Sequence, residues 1–339
     1  MKRSFVYIGV VVLLITAFSF AYCGKYKNRI DLSGIKPEFE VIRFEKEIFS
    51  LDTAKLLDQA MLVQNKHPQF FDLFTQGILR IGAMNQASFQ QDFSLFLADP
   101  VQQDAFQETE KMFGDFRSQK EGIYKAFQQY LYAFPDKQLP DIYTFIGYFN
   151  QSMVVDSGVL GIALEKYLYP DFARYIELGI PSFIRQKMDS ALLVPDCMRA
   201  IAQTDFPYND SIDNLSNNMI WEGMILYFIE QMVPTATESH IIQYTEEQLA
   251  FSKQFEGEMW KYLIDNKYLF ETDYKIIRRY LGDGPFTPGF TNSPSRTGAY
   301  LGWQIVRKYM QEHSEIKLNQ LMMMRDYQKI LNGSSYNPV

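Results

Sequence analysis

The chain has 339 residues, of which 47% are hydrophobic, 16% aromatic and 22% charged, and its formal net charge is −7. The hydrophobic content excludes a disordered or collagen-like protein, and the acidic balance argues against a nucleic-acid partner, because phosphate binding needs a basic surface. Only three histidines and two cysteines are present. This scarcity limits zinc, haem and iron–sulfur chemistry, and we expect no metal and no other cofactor.

Residues 1–23 carry the pattern of an export signal. A short basic start is followed by an uncharged, almost wholly apolar stretch that ends at Tyr22, and Cys23 comes next. A cysteine at this place is typical of a lipoprotein signal, in which the thiol is acylated and anchors the protein. Tyr22 departs from that pattern, since a small residue usually precedes the cysteine, so an uncleaved membrane anchor with Cys23 incidental is the alternative. Both interpretations export residues 24–339 and tether them to a membrane. No acidic run follows Cys23, which favours the periplasmic side.

The exported part shows no repeat or linker, and we interpret it as a single α+β domain dominated by helix. After an extended start at 39–44, apolar spacing predicts helices at 52–65, 68–81, 86–98, 101–133, 181–203, 213–232, 245–266, 273–281, 295–311 and 317–331. Strand-forming runs at 141–149, 153–155 and 159–164 predict a small antiparallel sheet.

One predicted helix, from Asn217 to Ile229, is apolar nearly all round and carries a single carboxylate, Glu222. A buried carboxylate must find hydrogen-bond donors, pair with a cation or take up a proton. Glu222 is therefore a candidate functional group, and a structural glutamate bonded to the backbone or to an arginine is the alternative. A second candidate carboxylate, Glu256, follows on a later helix with buried apolar positions.

Zinc peptidases often carry the motif HExxH on one helix and a glutamate ligand on a later one. The five corresponding residues here are Trp221-Glu222-Gly223-Met224-Ile225. Neither Trp221 nor Ile225 can bind zinc at the two histidine positions. His67, His240 and His313 lie elsewhere in the sequence, and we interpret them as structural.

A turn-rich loop from Gly284 to Arg296 leads into the predicted helix at 295–311. Arg296 could pair with a buried carboxylate or clamp an anionic ligand, and an ordinary surface arginine is the alternative. Gly298 and Gly302 form a small-xxx-small pattern that lets another backbone approach closely.

Nine short segments of the sequence together are typical of one protein family. They are Arg29 to Ile35, Val41 to Phe49, His67 to Phe71, Gly161 to Leu168, Met219 to Gly223, Leu226 to Phe228, Glu256 to Trp260, Ser293 to Gly298 and Gly302 to Val306. In combination they resemble the gliding-motility-associated lipoprotein B (GldB-like) family of the Bacteroidetes. The resemblance covers nearly the whole chain after the export signal. It implies a part in gliding motility and its associated secretion machinery.

That family in turn is similar to zinc-dependent proteases that carry HExxH. The similarity implies a zincin-like scaffold without its metal, in which the strand at 159–164 is the sheet edge bordering the cleft. The residues of this vestigial cleft would be Trp221, Glu222, Ile225, Glu256 and Arg296. We therefore expect a non-catalytic, membrane-anchored envelope lipoprotein that binds envelope proteins or a peptide ligand.

Two alternatives remain open at this stage. An active hydrolase would use Glu222, Glu256 and a further ligand such as His240, and it requires these groups to converge. A peptide-binding protein would instead add an extended peptide to the sheet edge.

Overall fold

The computed structural model describes residues 31–338, and the predicted export signal with Cys23 lies outside the described residues. Residues 37–338 belong to one compact unit. About 60% of the structure is helical and a small sheet is present, so the prediction of a helix-dominated α+β fold is confirmed. Within residues 31–338, no helix combines the length and the apolar character needed to cross a bilayer.

The α-helices in chain order are α1 Phe44–Phe49, α2 Leu56–Lys66, α3 Pro68–Asp72, α4 Phe89–Ala98, α5 Pro100–Phe113, α6 Arg117–Ala133, α7 Ala173–Glu177, α8 Ser182–Arg185, α9 Leu193–Asp205, α10 Leu215–Met232, α11 Glu238–Ile242, α12 Glu246–Gln254, α13 Glu256–Asp265, α14 Tyr274–Leu281, α15 Thr297–Glu312, α16 Leu318–Met322 and α17 Tyr327–Ser334. A π-helical segment, Leu73–Ile78, continues α3. The strands are β1 Val41–Arg43, β2 Asp141–Phe145, β3 Met153–Asp156 and β4 Val159–Ala163.

The sheet has the order β1-β2-β4-β3, and it is mixed. β1 pairs with β2 and β2 with β4 in parallel, whereas only β3 and β4 form the predicted antiparallel hairpin. The prediction of an antiparallel sheet is therefore wrong for two of the three pairings, because neither pair is joined by a tight turn: β1 lies far before β2, and β3 intervenes between β2 and β4. β4 is also an interior strand, so the expectation that residues 159–164 form the sheet edge is wrong.

The two faces of the sheet contact two different apolar cores. On β4, Leu160 and Ile162 point into the larger core, while Val159 and Ala163 belong to a smaller one. This alternation follows from the two-residue period of a strand. The smaller core is rich in phenylalanine and includes Phe44, Phe70, Phe71, Phe74, Phe89, Phe93, Phe96 and Phe145. Eight of the 28 phenylalanines therefore pack in this smaller core.

Several long predicted helices are interrupted. The predicted helix at 181–203 is observed as α8 and α9, and the one at 317–331 as α16 and α17. Two more break where the backbone leaves the helical region. The predicted helix at 101–133 ends at Phe113 and restarts at Arg117, with Gly114 and Phe116 both at positive φ. The predicted helix at 245–266 divides at Phe255 into α12 and α13. Hydrophobic periodicity continues across both breaks, which explains why the pattern predicts single helices.

The helices α10 and α15 pack against each other in the centre of the larger core. Gly223 of α10 faces Gly302 of α15, and a Cβ added at Gly223 would lie 2.3 Å from the Gly302 carbonyl carbon. Close approach of the two backbones thus depends on these glycines, as the small-xxx-small pattern predicts.

Candidate functional site

Glu222 on α10 lies between two arginines. Its Oε2 atom is 3.3 Å from Nη2 of Arg296 and 3.7 Å from Nη1 of Arg199. The three side chains are mostly shielded from solvent, with 19%, 10% and 13% of their surface exposed for Glu222, Arg296 and Arg199, respectively. Glu222 is therefore an ion-paired carboxylate, and Arg296 is a buried residue.

Arg296 is positioned by the loop that precedes α15. It has a left-handed backbone conformation with φ of 58°, immediately before the first residue of the helix. Thr287 holds the loop closed, because its backbone N–H and its hydroxyl both donate to the carbonyl of Pro294, at 3.0 and 2.9 Å. The hydroxyl of Tyr244 donates to the carbonyl of Ser295 at 2.6 Å. These bonds direct the Arg296 side chain toward Glu222.

The Glu222 pair belongs to a larger group, which we call the buried charge cluster. Its members are Lys187, Asp196, Arg199, Glu222, Asp283 and Arg296. The side chain of Asp283 is 49% exposed and lies at the edge of the cluster, whereas the other five are buried or half-buried. Three cations balance three carboxylates, so the cluster is formally neutral. It joins α9, α10 and the segments that precede α9 and α15.

Lys187 and Asp196 are the members whose protonation the surroundings alter most clearly. Lys187 pairs with Asp283, and burial together with the nearby Arg296 lowers the pKa of the Lys187 amine to about 8. Burial raises the pKa of Asp196, although Arg199 and the hydroxyl of Tyr167 oppose the shift. Tyr167 donates to Asp196 Oδ2 at 2.9 Å. The amine of Lys187 therefore stays mostly protonated at pH 7 and loses its proton at a lower pH than an exposed lysine does.

Arg199 retains an unused donor inside the buried charge cluster. Its Nη2 donates to the carbonyl of Ile241 at 3.2 Å, whereas its buried Nε has no hydrogen-bond partner. The Glu222 carboxylate is thus held by two guanidinium groups at rather long distances. Two guanidinium groups thus stand on the side of Glu222 Oε2.

The two residues that replace the motif histidines lie in different surroundings. The indole N–H of Trp221 donates to the carbonyl of Phe206 at 3.0 Å, and its ring packs beside Tyr208. Ile225 is fully buried in the larger core. Glu222, Trp221 and Ile225 therefore contact three separate groups of residues.

Glu256 begins α13 and is bound by two tyrosines. Its Oε2 accepts a hydrogen bond from the hydroxyl of Tyr300 at 2.7 Å, and its Oε1 accepts one from Tyr336 at 2.8 Å. Burial and the bond to Glu256 raise the pKa of Tyr300. The carboxylate of Glu256 thus fastens the C-terminal segment to α15, and its two tyrosine partners differ from the arginine partners of Glu222.

The histidines take part in local contacts. His67 lies against Tyr143 and Glu47, with ring nitrogens 3.2 and 3.3 Å from their oxygens. His313 Nε2 is 3.2 Å from the carbonyl of Gly333, and the backbone N–H of His240 donates to Thr237 in a helix cap. Within residues 31–338, no group of three His, Cys, Asp or Glu side chains could hold a metal ion.

Sequence reasoning finds two of the six residues of the buried charge cluster, Glu222 and Arg296. Asp196 and Arg199 carry a usable signal, since they are three residues apart on one face of an amphipathic helix. Lys187 and Asp283 carry none, because they lie in short connections whose positions depend on the tertiary fold.

Comparison with protein families gives a match over residues 25–338 to the family of the gliding motility protein GldB. The chain belongs to the GldB family. Comparison with curated proteins and with solved structures found no match. GldB membership, which the sequence predicts, is therefore confirmed, and it supports a gliding-motility-associated lipoprotein that is anchored to a membrane of the cell envelope.

Proposed function

We propose that this GldB family member is a non-catalytic, membrane-anchored binding component of the cell envelope that serves gliding motility and its secretion machinery. Family membership supports the association with motility and with a membrane. The periplasmic side is favoured because no acidic run follows Cys23. Its partners are envelope proteins or a peptide from one of them.

The observation that carries the non-catalytic part of the proposal is the pairing of Glu222 with Arg296, 3.3 Å apart. In an HExxH peptidase, the motif glutamate activates a metal-bound water and needs an open metal site beside it. Glu222 instead has arginines beside it, and the residues at the two ligand positions are Trp221 and Ile225.

The zincin-like ancestry of the domain forms part of the same proposal. It is supported by a central helix, α10, that carries the motif glutamate while lacking both ligands. The cleft of such an ancestor would now be closed by the buried charge cluster. A peptide that binds by strand addition would use β1 or β3, because these are the edge strands of the sheet.

Metal analysis of the purified full chain tests the proposal against the alternative of a metal-dependent hydrolase. We compare the native chain with Glu222→Gln, Glu256→Gln and the control Glu258→Gln, which alters an exposed carboxylate two residues after Glu256 on α13. We expect bound zinc far below one equivalent in all four, and no hydrolysis of casein or of a peptide library. Stoichiometric zinc or hydrolysis that is lost in Glu222→Gln and kept in Glu258→Gln would overturn the proposal.

Genetic complementation tests the proposed non-catalytic role in gliding motility. The native chain and Glu222→Gln are expressed in a gliding strain that lacks its own GldB family member, and colony spreading is compared at equal protein levels. We expect both to restore spreading to the same extent. Loss of spreading with a folded, correctly localised Glu222→Gln chain would indicate a catalytic role.

A further inference from the structure

We propose that the segment from Lys267 to Arg279 is a membrane-contact surface that rests on anionic phospholipid. The surface, which we call the basic aromatic face, consists of Lys267, Phe270, Tyr274, Lys275, Arg278 and Arg279. All six residues are exposed. This contact is additional to the N-terminal anchor and would orient the domain on the bilayer.

Two large aromatic side chains project from this surface. Phe270 is 63% exposed and Tyr274 is 68% exposed, among the most exposed large apolar residues of the described chain. The backbone beneath them is held in place, because the ring of Tyr268 packs against Tyr262 and Tyr280 with centroids 6.2 and 5.8 Å apart. Exposed aromatic rings on a rigid support suit the boundary between headgroups and acyl chains.

The cations beside these rings are available to a ligand. On α14, Ile277 and Tyr280 face the core, while Lys275, Arg278 and Arg279 lie on the outer face. Among the described residues, no carboxylate forms an ion pair with any of these three side chains, whereas Lys261 nearby pairs with Asp265 at 2.6 Å. Unpaired cations on a helix whose opposite face is buried are free to meet lipid phosphates.

The local charge is opposite to that of the whole chain. The segment 267–279 contains four cations (Lys267, Lys275, Arg278 and Arg279) and two carboxylates (Glu271 and Asp273), a net charge of +2, whereas the chain carries −7. Asp273 is also engaged locally, because it accepts the backbone N–H of Lys275 at 2.8 Å as the cap of α14. Each Lys or Arg near an anionic membrane adds to the attraction, so four cations with two aromatic rings favour a lipid surface.

The anchor keeps this surface within reach of a bilayer. With Cys23 as the anchoring residue, 13 residues separate it from Pro37, where the compact unit begins. Thirteen residues span at most about 45 Å when fully extended. A domain tethered at this distance meets the membrane far more often than it meets a soluble partner, so weak contacts suffice to orient it.

Photo-crosslinking in the full chain tests the proposal. A photo-reactive phenylalanine analogue is placed at position 274 or, as a control, at position 62, where Leu62 is also 68% exposed but lies on α2. Each protein is reconstituted through its own anchor into vesicles of phosphatidylcholine alone or of phosphatidylcholine mixed with phosphatidylglycerol. Adducts are identified by mass spectrometry.

We expect lipid adducts at position 274 in the phosphatidylglycerol vesicles, and few in phosphatidylcholine or from position 62. The double change Lys275→Glu with Arg278→Glu should lower the adduct yield by about tenfold, because two attractive charges become repulsive. The matched double change Lys120→Glu with Lys125→Glu, on exposed residues of α6, should leave the yield unchanged. Thermal unfolding checks that both variants fold.

Three results would overturn the proposal. The first is an equal yield from positions 274 and 62, and the second is a yield at 274 that is the same in both vesicle types. The third is a protein adduct at 274 in native envelopes without lipid adducts, which would assign the basic aromatic face to an acidic protein partner.

Discussion

Gly302 lies so close to Met219 that a Cβ atom added to Gly302 would stand 1.7 Å from the carbonyl oxygen of Met219. The crossing of α15 over α10 is therefore a backbone-to-backbone contact. Its neighbours Met219, Ile220 and Trp303 are all fully buried. No side-chain rotation can relieve a clash at this point, because the obstructing atoms belong to the main chain.

We expect Gly302→Ala to lower the free energy of unfolding by about 3 kcal/mol or more, since α15 must move away from α10 to admit a methyl group. Gly284→Ala is the control, because a Cβ there would lie at an ordinary contact distance of 3.5 Å from the carbonyl oxygen of Phe286. Urea unfolding followed by circular dichroism compares the two. Equal stabilities for both variants would contradict the close crossing.

The Glu222 and Arg296 pair gives a second expectation. We expect Arg296→Ala to destabilise the fold by about 2 kcal/mol, because Glu222 would lose its nearer cation in a largely buried place. Arg296→Gly is a matched variant, as it also relieves the left-handed backbone conformation with φ of 58°. It should therefore be more stable than Arg296→Ala.

A double-mutant cycle with Glu222→Gln measures the interaction itself. If the ion pair stabilises the fold, the loss caused by Arg296→Gly should shrink when Glu222 is already glutamine. Additive losses would show that Arg296 acts through the loop rather than through Glu222.

Glu165 makes stability depend on pH. It is fully buried, its Oε1 accepts the backbone N–H of Gly147 at 2.8 Å, and its Oε2 has no hydrogen-bond partner. Burial raises the pKa of the Glu165 carboxyl from its ordinary value of 4.5 to about 8. The folded protein then holds a proton that the unfolded chain releases above about pH 4.5, so this contribution to stability is complete below that pH.

As pH rises from about 5 to 8, we expect the contribution of Glu165 to decline by about 1 kcal/mol per pH unit. In Glu165→Gln, which keeps an acceptor for Gly147, this slope should disappear. The measurement is the difference in unfolding free energy between the native chain and the variant across this pH range. A difference that does not change with pH would show that Glu165 is ionised in the fold.

The bond from Tyr336 to Glu256 holds the C-terminal segment. We expect Tyr336→Phe to lower stability by about 2 kcal/mol, as is usual for a hydrogen bond to a charged group, and to speed proteolysis after residue 334. Tyr274→Phe is the control, because Tyr274 is 68% exposed and should have little effect. Unchanged proteolysis in Tyr336→Phe would show that other contacts hold this segment.

The parts of the fold that could be predicted from the sequence are those in which neighbouring residues decide the outcome. The buried character of α10, the β3–β4 hairpin around Gly158 and the close packing at Gly302 all follow from short-range patterns. The parallel pairing of β1 with β2 could not be predicted, because no local signal joins residues so far apart. The π-helical continuation of α3 also has no signal in the periodicity.

The residues of the candidate site also differ in whether the sequence alone predicts them. Glu222 can be predicted because it is a lone carboxylate in an apolar helix, and Arg296 can be predicted because it ends a turn-rich loop. Lys187 and Asp283 could not be predicted, because only tertiary contacts bring them into the buried charge cluster. The two tyrosines on Glu256 come from α15 and from the segment after α17, and no pattern within the sequence connects these places.

The pairing of Val41 with Ile142 spans 101 positions of the chain. Closing so long a loop costs chain entropy before any strand contact compensates for it, so the parallel sheet should form late and slowly. A protein exported from its N-terminus would hold β1 and the phenylalanine-rich helices outside the membrane before β2 arrives. During that interval its apolar surface is exposed to aggregation, and a chaperone that binds apolar segments should speed recovery of the native sheet in pulse-labelled hydrogen exchange.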